Sequence, residues 1–210
     1  MTGLVVVDSG GANLGSVIVA LQRLGLEPPL VRDAASIEAA ERVLLPGVGA
    51  SAPVMQRLRE LGLIEVLRAA RKPLLGICVG MQVLFDHSEE GDTDCLGLIP
   101  GAVRKLQSTG GVRVPHMGWN TLQVQTHSPL LEGIAEGSHA YFVHSYAVPL
   151  SEACIASTTH GTDFAAVVQR GCIAGAQFHP ERSADTGARL LRNFLHWSPR
   201  YEAGAAEPAR

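Results

Sequence analysis

Two short segments of this sequence contain the residue types that nucleophilic catalysis requires. The first is GICVG at residues 76–80, where Cys78 lies between small residues at the junction of an apolar strand pattern and a helix pattern. Small residues there allow the sharp strand-to-helix turn that presents a nucleophile above a sheet, and the amino end of a helix favours a thiolate. Taken alone, the segment fits a buried structural cysteine equally well.

The second segment, QFHPE at residues 177–181, places His179 two residues before Glu181. Residues two apart in extended backbone point to the same side, so we expect the two side chains to meet. A histidine held by a carboxylate can act as the base that draws a proton from a nucleophile. A surface loop carrying both residues is the alternative, but a cysteine and a histidine far apart in sequence are typical of a catalytic pair.

A third segment, PGVG at residues 46–49, offers backbone N–H groups that glycine leaves unobstructed. Together with the amide of Val79, such donors would suit the oxyanion of a tetrahedral intermediate. An ordinary strand-to-helix turn explains the tetrapeptide as well. The segment GGANLGS at residues 10–16 lacks the lysine of a phosphate loop, so a tight turn is the better interpretation.

The first half of the sequence alternates strand and helix patterns that would position these segments. Apolar runs at residues 4–7, 30–31, 42–45 and 73–77 predict strands, and the first of these runs would suit a strand buried on both faces. Helical patterns between these runs, the first of them predicted to be capped by Asn13, imply parallel pairing through right-handed crossovers.

After about residue 98, short β-rich segments separated by Gly, Pro and Ser predict an antiparallel extension. A final helix is predicted from Ser183, its cap, to Trp197. The predicted fold class is therefore α/β, with a mostly parallel central sheet flanked by helices and an antiparallel β extension. We expect a single domain over residues 1–198 and a frayed tail over residues 199–210.

The composition argues against several classes of function. Of the 210 residues, 46% are hydrophobic and 18% are charged, which is typical of a folded soluble protein. A formal net charge of −3 gives no basis for binding nucleic acid or an anionic membrane. The four cysteines form no C-x-x-C pair and the histidines no ligand cluster, so we expect reduced thiols in a cytoplasmic protein without a metal or other cofactor.

The segments together resemble the class I glutamine amidotransferases, in which GICVGMQ is the nucleophile turn and FHPE supplies the base and its orienting acid. Within that family, the sequence resembles the glutaminase subunits of imidazole glycerol phosphate synthase, an enzyme of histidine biosynthesis. The resemblance spans most of residues 5–197 and is carried by DSGGANLGSV, LLPGVGAS, GICVGMQVLF, VPHMGWN, YFVHSYAV, GAQFHPERS and the closing LLRNFLHW.

This resemblance implies a role for each candidate residue. Cys78 would attack the side-chain carboxamide of glutamine, His179 would pass a proton to the departing ammonia, and Glu181 would orient His179. Water would then hydrolyse the thioester to glutamate. The remaining implied roles are oxyanion donation by Gly49 and Val79, and glutamine binding by Gln82, Ser145 and Tyr146.

The resemblance also implies a partner. Ammonia would pass through a channel into a (βα)₈-barrel cyclase subunit, and the heterodimer would make imidazole glycerol phosphate and an aminoimidazole carboxamide ribonucleotide. Met117 and Trp119 would lie near the channel entrance, although without the resemblance they and Tyr141 are interpreted as packing residues. The sequence departs from the family pattern at Ser9, where Tyr is usual, and at Arg182, where Lys is common, so an interfacial contact of Arg182 is expected to differ.

Three other functions are compatible with the same residues. The chain would be the glutaminase of a different synthase, a stand-alone cysteine hydrolase of the γ-glutamyl hydrolase or peptidase type, or a non-catalytic binding protein. The segments PHMGWN and YFVHSY argue against the first, and the presence of all three catalytic residues argues against the last. A stand-alone hydrolase would work at full rate without any partner.

Overall fold

An eight-stranded sheet forms the centre of the computed structural model, which describes residues 3–11, 13–108 and 111–199. The strands in chain order are β1 (Leu4–Val7), β2 (Leu30–Val31), β3 (Arg42–Gly47), β4 (Leu74–Cys78), β5 (His87–Ser88), β6 (Thr93–Asp94), β7 (Ala102–Lys105), β8 (His116–Thr121), β9 (Gln123–Val124), β10 (His139–His144), β11 (Tyr146–Ala147), β12 (Cys154–His160), β13 (Thr162–Arg170) and β14 (Ile173–Ala176).

Short helices connect and cover these strands. None of those within the described ranges is long and apolar enough to cross a membrane. The helices are α1 (Leu14–Gln22), α2 (Ala34–Ala39), α3 (Ser51–Glu60), α4 (Ile64–Ala69), α5 (Val79–Gln82) and α6 (Ala184–His196), with 3-10 turns at Pro129–Leu131 and Pro180–Arg182.

The strand order in the central sheet is β2-β1-β3-β4-β14-β13-β12-β9. The first five strands pair in parallel, and the last three continue the sheet in antiparallel fashion. The predicted α/β fold with an antiparallel extension is therefore confirmed. Because β1, β4 and β14 are buried at every position, they require apolar side chains on both faces.

Two smaller sheets lie beside the central one. Strands β8 and β10 form an antiparallel pair, and β11, β7, β5 and β6 form a four-stranded sheet. The sequence did not predict β8, because HMGWNT has no clear alternation of apolar and polar residues and contains only one β-branched residue. The predicted frayed tail lies, apart from residue 199, outside the described residues.

Two predicted helix caps are wrong in their contacts. Asn13 and Ser183 occupy the N-cap positions of α1 and α6, but neither side chain bonds to its helix. The Ser183 hydroxyl instead donates to the carbonyl of His179 at 2.7 Å and accepts from the amide of Tyr141 at 2.9 Å. This residue therefore fixes the backbone beside His179, and Asn13 reaches the same site from the other side.

Candidate active site

Cys78 ends β4 in a backbone conformation that a side chain rarely adopts. Its φ of 54° and ψ of −113° turn the chain directly into α5. Such a conformation costs on the order of 1–3 kcal/mol and persists only where the surroundings impose it. The side chain, only 3% exposed, lines a cavity at the carboxyl ends of the parallel strands, which is where open α/β sheets bind their ligands.

Three glycines allow this turn to lie against the neighbouring strand. A Cβ added to Gly80 would lie 1.9 Å from the carbonyl oxygen of Leu45, and one added to Gly76 would lie 2.4 Å from the carbonyl oxygen of Gly80. A Cβ on Gly47 would lie 2.5 Å from the amide nitrogen of Gly80. Because backbone atoms cannot move aside as a flexible side chain can, the strained turn at Cys78 depends on these glycines.

We expect Gly80→Ala to destabilise the protein by more than about 3 kcal/mol, because overpacking against backbone has no inexpensive relaxation. Gly15→Ala is the matched control, since Gly15 lies in α1 with nothing within 4 Å of an added Cβ. That change should be neutral or stabilise by roughly 0.5–1 kcal/mol. Urea unfolding measures both variants, and equal unfolding midpoints would contradict the steric argument.

His179 and Glu181 meet beside Cys78. His179 follows β14 and donates from Nδ1 to Oε1 of Glu181 at 2.7 Å, with both side chains at least 95% buried (5% and 1% exposed). The reason for the contact differs from the prediction, because Pro180–Arg182 is a 3-10 turn and not extended backbone. A Cβ on Gly187 would lie 1.9 Å from the carbonyl oxygen of Pro180, so α6 packs directly on this turn.

The charges in the site favour a protonated histidine. Burial alone would lower the pKa of His179, but hydrogen bonds to Cys78 and Glu181, with the negative charges of these groups, raise it to about 10. Burial would raise the pKa of Glu181, yet the hydrogen bond and charge of His179 hold it below its usual value. At neutral pH the pair is therefore an imidazolium and a carboxylate, and His179 carries a proton that a leaving group can take.

Asn13 is a further member of this cluster that the sequence did not identify. Its amide Nδ2 donates to Oε1 of Glu181 at 2.5 Å and lies 3.3 Å from Nδ1 of His179. Since Nδ1 of His179 already donates its proton to the carboxylate and cannot accept, the hydrogen bond of the Asn13 amide goes to Glu181. Its place in the connection between β1 and α1, at the carboxyl edge of the parallel sheet, was a signal available in the sequence, although the contact with Glu181 was not.

The predicted oxyanion segment is held by the loop that follows β1. The hydroxyl of Ser9 donates to the carbonyl of Pro46 at the start of this segment. A Cβ on Gly11 would lie 2.4 Å from Cγ2 of Val48, so the loop lies tightly against the segment. Gly49 adopts a φ of +88° and lines the cavity, and this left-handed conformation favours glycine.

The cavity beside Cys78 has a volume of about 530 Å³. All the residues predicted to donate to the oxyanion or to bind substrate reach it. Its lining comprises Asn13, Val48, Gly49, Cys78, Val79, Gln82, Glu90, Pro115, Val143, His144, Ser145, Tyr146, His179 and Arg182. A cavity of this size, lined by both polar and apolar residues, can hold a small ligand such as an amino acid.

Two buried glutamines complete the floor of the site. Gln82 donates from Nε2 to the carbonyl of Tyr146 at 2.8 Å and to Oε1 of Gln177 at 3.1 Å. Gln177 in turn lies with Nε2 3.9 Å from Sγ of Cys78. The remaining oxygen of Gln82, Oε1, is buried without a hydrogen-bond partner among the described residues. A buried acceptor without a partner costs free energy, and Gln82 is one of the residues that line the cavity.

Met117 and Trp119 do not act as packing residues. Their side chains, on β8, are 64% and 54% exposed, so the packing interpretation is wrong for both. Trp119 contacts the ring of Tyr141 edge-on at 5.9 Å, and the guanidinium of Arg182 lies 4.5 Å from the centre of the same ring. Because Arg182 also lines the cavity, this exposed cluster lies next to the site.

His144, which lines the cavity, and His116, which lies outside the lining, remain uncharged at neutral pH. Burial is the main reason that the pKa of His116 falls to about 4 and that of His144 to about 3, and neighbouring histidines lower both further. In the unfolded chain these groups take up protons near pH 6.5. The unfolded state therefore binds more protons between about pH 6.5 and 4, so folding stability is lost as the pH falls through this window.

We expect the free energy of unfolding to be lower at pH 5 than at pH 7 by roughly 1 kcal/mol or more. His116→Phe removes one of the two groups and should reduce this loss. Urea unfolding of both proteins at the two pH values provides the measurement. An identical pH dependence in the variant would show that His116 is not the source.

Sequence and structure comparisons agree on one family. The family described as glutamine amidotransferase class-I matches residues 5–197. Imidazole glycerol phosphate synthase subunit HisH of Xylella fastidiosa (strain Temecula1) is 61% identical over 195 residues, which cover 93% of this chain and 98% of that protein. The subunit of the same name from Xanthomonas euvesicatoria is 59% identical and covers 94% and 99%.

Solved structures share the fold. A crystal structure described as a glutamine amidotransferase superposes with a TM-score of 0.71 at 25% identity, covering 92% of this chain and 97% of that one. The glutaminase domain of CTPS from Trypanosoma brucei, solved with bound acivicin, gives a TM-score of 0.64 at 14% identity over 95% of this chain and 96% of that one. The second likeness shows the fold alone.

Proposed function

Because this chain belongs to the class I glutamine amidotransferases, we propose that it is the glutaminase subunit of an imidazole glycerol phosphate synthase in histidine biosynthesis. The observation that carries the proposal is its identity of 61% to a curated subunit of that enzyme over nearly the full length of both. The reaction it supplies is hydrolysis of glutamine to glutamate and ammonia. The contacts among Cys78, His179 and Glu181 support that chemistry.

In the first half of the reaction, Sγ of Cys78 attacks the carboxamide carbon of glutamine. The amides of Gly49 and Val79, which line the cavity, stabilise the oxyanion that forms. His179 gives its proton to the departing nitrogen, so ammonia leaves and a thioester remains on Cys78. Glu181 keeps His179 in the orientation and charge state that this transfer requires.

In the second half, water hydrolyses the thioester. His179, now neutral, removes a proton from the attacking water, and the carbonyl carbon passes again through an oxyanion held by the same amides. Collapse of this intermediate breaks the carbon–sulfur bond and releases the γ-carboxylic acid, which loses its proton to solvent and becomes glutamate. The thiolate of Cys78 and the imidazolium of His179 are restored, so atoms and charges balance over the cycle.

Glutamine has polar groups that match the cavity wall. The unpartnered Oε1 of Gln82 can accept an N–H from the substrate, and Ser145 and Tyr146 line the same wall. Glu90 also lines the cavity, and its carboxylate is opposite in charge to the α-ammonium group of glutamine. Burial raises the pKa of Glu90, and its hydrogen bond from the amide of Ser51 only partly opposes this shift.

We therefore expect Glu90→Gln to raise KM for glutamine roughly 10- to 100-fold with a smaller change in kcat, since a charge-assisted hydrogen bond is lost from substrate binding. Glu89→Gln is the matched control, because Glu89 bonds to Arg104 at 2.6 Å and does not line the cavity. Steady-state glutamate release provides both constants. Equal effects of the two variants would remove Glu90 from the substrate site.

A partner subunit explains why ammonia is not lost. Ammonia in water at neutral pH is mostly protonated and unreactive, so a dry path to the second active site preserves the nucleophile. The partner is a cyclase subunit, which we propose is a (βα)₈ barrel that forms a heterodimer with this chain. The exposed cluster of Met117, Trp119, Tyr141 and Arg182 beside the cavity is the proposed contact surface.

We assign control of the glutaminase rate, before the partner is activated, to the segment at residues 46–49. We propose that reorientation of a peptide within residues 47–49 completes the oxyanion site when the partner binds its nucleotide. The left-handed Gly49 permits such a change without a side-chain penalty. Identical amide geometry at Gly49 in resting and activated complexes would contradict this hypothesis.

Two further features belong to the proposal. Residues 1–198 would act as one domain, which is supported by the family match over residues 5–197 and by a central sheet that draws strands from both halves of the chain. The protein would work in the cytoplasm, as its expected reduced thiols suggest.

A binding experiment with the tagged full-length chain tests the assignment to this synthase. We expect it to retain the cyclase subunit from the same organism, and the pair to form imidazole glycerol phosphate when glutamine is the only nitrogen source. Retention of a different synthase subunit, without the cyclase, would assign the chain to another amidotransferase complex.

A further inference from the structure

A chain of three polar side chains connects β8 to the carbonyl oxygen that holds Gln82. Asn120 lies with Nδ2 3.3 Å from Nε2 of His116. Nδ1 of His116 lies 3.3 Å from Nε2 of His144, and Nδ1 of His144 lies 2.8 Å from the carbonyl oxygen of Tyr146. His116 and His144 are register partners in the β8–β10 pair, so the sheet itself aligns their rings.

If both imidazoles are neutral, every hydrogen bond in this chain has a single direction. The carbonyl of Tyr146 can only accept, so Nδ1 of His144 carries the proton. A neutral His144 then accepts at Nε2, which requires Nδ1 of His116 to donate. Nε2 of His116 is left to accept from the amide of Asn120, and that amide also donates to the carbonyl of Thr159 at 2.9 Å.

Packing prevents these rings from leaving their positions. His116 is 3% exposed and lies between two flat rings, with Phe142 stacked at 4.9 Å and His160 stacked at 4.1 Å. His144 is 7% exposed and contacts the ring of Phe164 edge-on at 5.1 Å. Burial lowers the pKa of His116 to about 4 and that of His144 to about 3, so both rings are neutral at neutral pH, which is the premise of these hydrogen-bond directions.

The end of the chain is shared with the substrate site. The carbonyl oxygen of Tyr146 accepts from His144 and from Nε2 of Gln82, each at 2.8 Å. The position of this oxygen therefore sets the plane of the Gln82 amide, whose other atom, Oε1, is a buried acceptor without a hydrogen-bond partner among the described residues. A shift of the Tyr146 peptide would reorient that acceptor.

We propose that His116 is a positioning residue for glutamine binding, which acts through His144 and the Tyr146 carbonyl on the Gln82 amide. This inference rests on the proposed glutaminase function. His116 lies outside the cavity lining and touches neither the nucleophile nor its base, so its effect falls on substrate affinity more than on the chemical steps.

Two substitutions separate the hydrogen-bonding role from the packing role. His116→Phe keeps a flat ring for the stacks with Phe142 and His160 but removes the donor to His144. His116→Asn loses the ring but retains an amide N–H close to the position of Nδ1. For the full chain in complex with its cyclase partner, we expect the His116→Phe substitution to raise KM for glutamine about tenfold and to change kcat less than about twofold. We expect the KM of the His116→Asn variant to lie within about threefold of the value for the unaltered protein.

The opposite order, with Phe harmless and Asn damaging, would show that His116 only packs and would overturn the proposal. A fall in kcat without a change in KM would also overturn it. Absence of glutamine hydrolysis by the unaltered complex would instead refute the proposed function itself, so the two failures are distinguishable.

The unaltered chain offers a second test that does not depend on any variant. Nitrogen-15 NMR of the imidazole side chains at neutral pH distinguishes the two neutral tautomers. We expect both His116 and His144 to carry the proton on Nδ1, and Nε2 protonation of either ring would break the proposed chain.

Discussion

Replacing Cys78 with Ala will abolish the release of glutamate from glutamine while leaving the fold intact. Alanine retains the Cβ and adopts the same strained backbone as readily as cysteine does, so the turn from β4 into α5 should persist. Without the sulfur no thioester forms, and the expected loss in kcat is at least about 10⁴-fold, comparable with the loss of a nucleophile in other covalent hydrolases.

Cys172→Ala is the matched control for this experiment. Cys172 is also a buried thiol, but it lies in the turn directly before β14 and outside the cavity lining. We expect its variant to retain glutaminase activity within about twofold, as changes remote from the site usually do. Measurable turnover by the Cys78→Ala protein in the presence of its partner would refute the assignment of Cys78 as nucleophile.

Replacing His179 with Gln, in a chain that retains Cys78, will greatly lower kcat for the release of glutamate. Among the described cavity residues, His179 is the titratable group that hydrogen-bonds to Cys78, so kcat should fall by roughly 10³- to 10⁴-fold or more without it. Glu181→Gln keeps the size of the side chain and the contact with Asn13 but removes the charge that favours the imidazolium. Its loss should be smaller, on the order of 10²-fold, because Glu181 acts through His179.

A change at an exposed histidine controls for nonspecific effects. His196 ends α6 on the surface, away from the cavity, and His196→Gln should have no effect on glutamate release. Rates under partner-activated conditions measure the whole series. A Glu181 variant as inactive as the His179 variant would mean that the carboxylate takes part directly and does not merely orient the imidazole.

The sequence was sufficient to predict the parallel half of the fold. The apolar runs that form β1, β3 and β4 are buried at nearly every position, so their apolar composition was enough to predict buried strands. The small residues around Cys78 were equally informative, because backbone contact at Gly80 leaves room for no other side chain. In each case a local constraint determines the residue type.

The rest of the site depends on contacts between distant segments. Asn13 occupies a helix cap position, and only the folded chain shows that its amide reaches Glu181, 168 residues away. His116 lies in a strand without clear alternation, and its role depends on the register of β8 with β10. Trp119 is large and apolar, as core residues are, and its exposure follows from its place on the separate two-stranded sheet of β8 and β10.

The rate of glutamate release, measured for this chain alone and then with the cyclase subunit and its nucleotide ligand, tests the central claim most directly. We expect slow hydrolysis by the isolated chain and strong activation in the complex, and the Cys78→Ala chain should be inactive in both conditions. Full activity of the isolated chain would identify a stand-alone hydrolase, and no activity in either condition would contradict the glutaminase assignment.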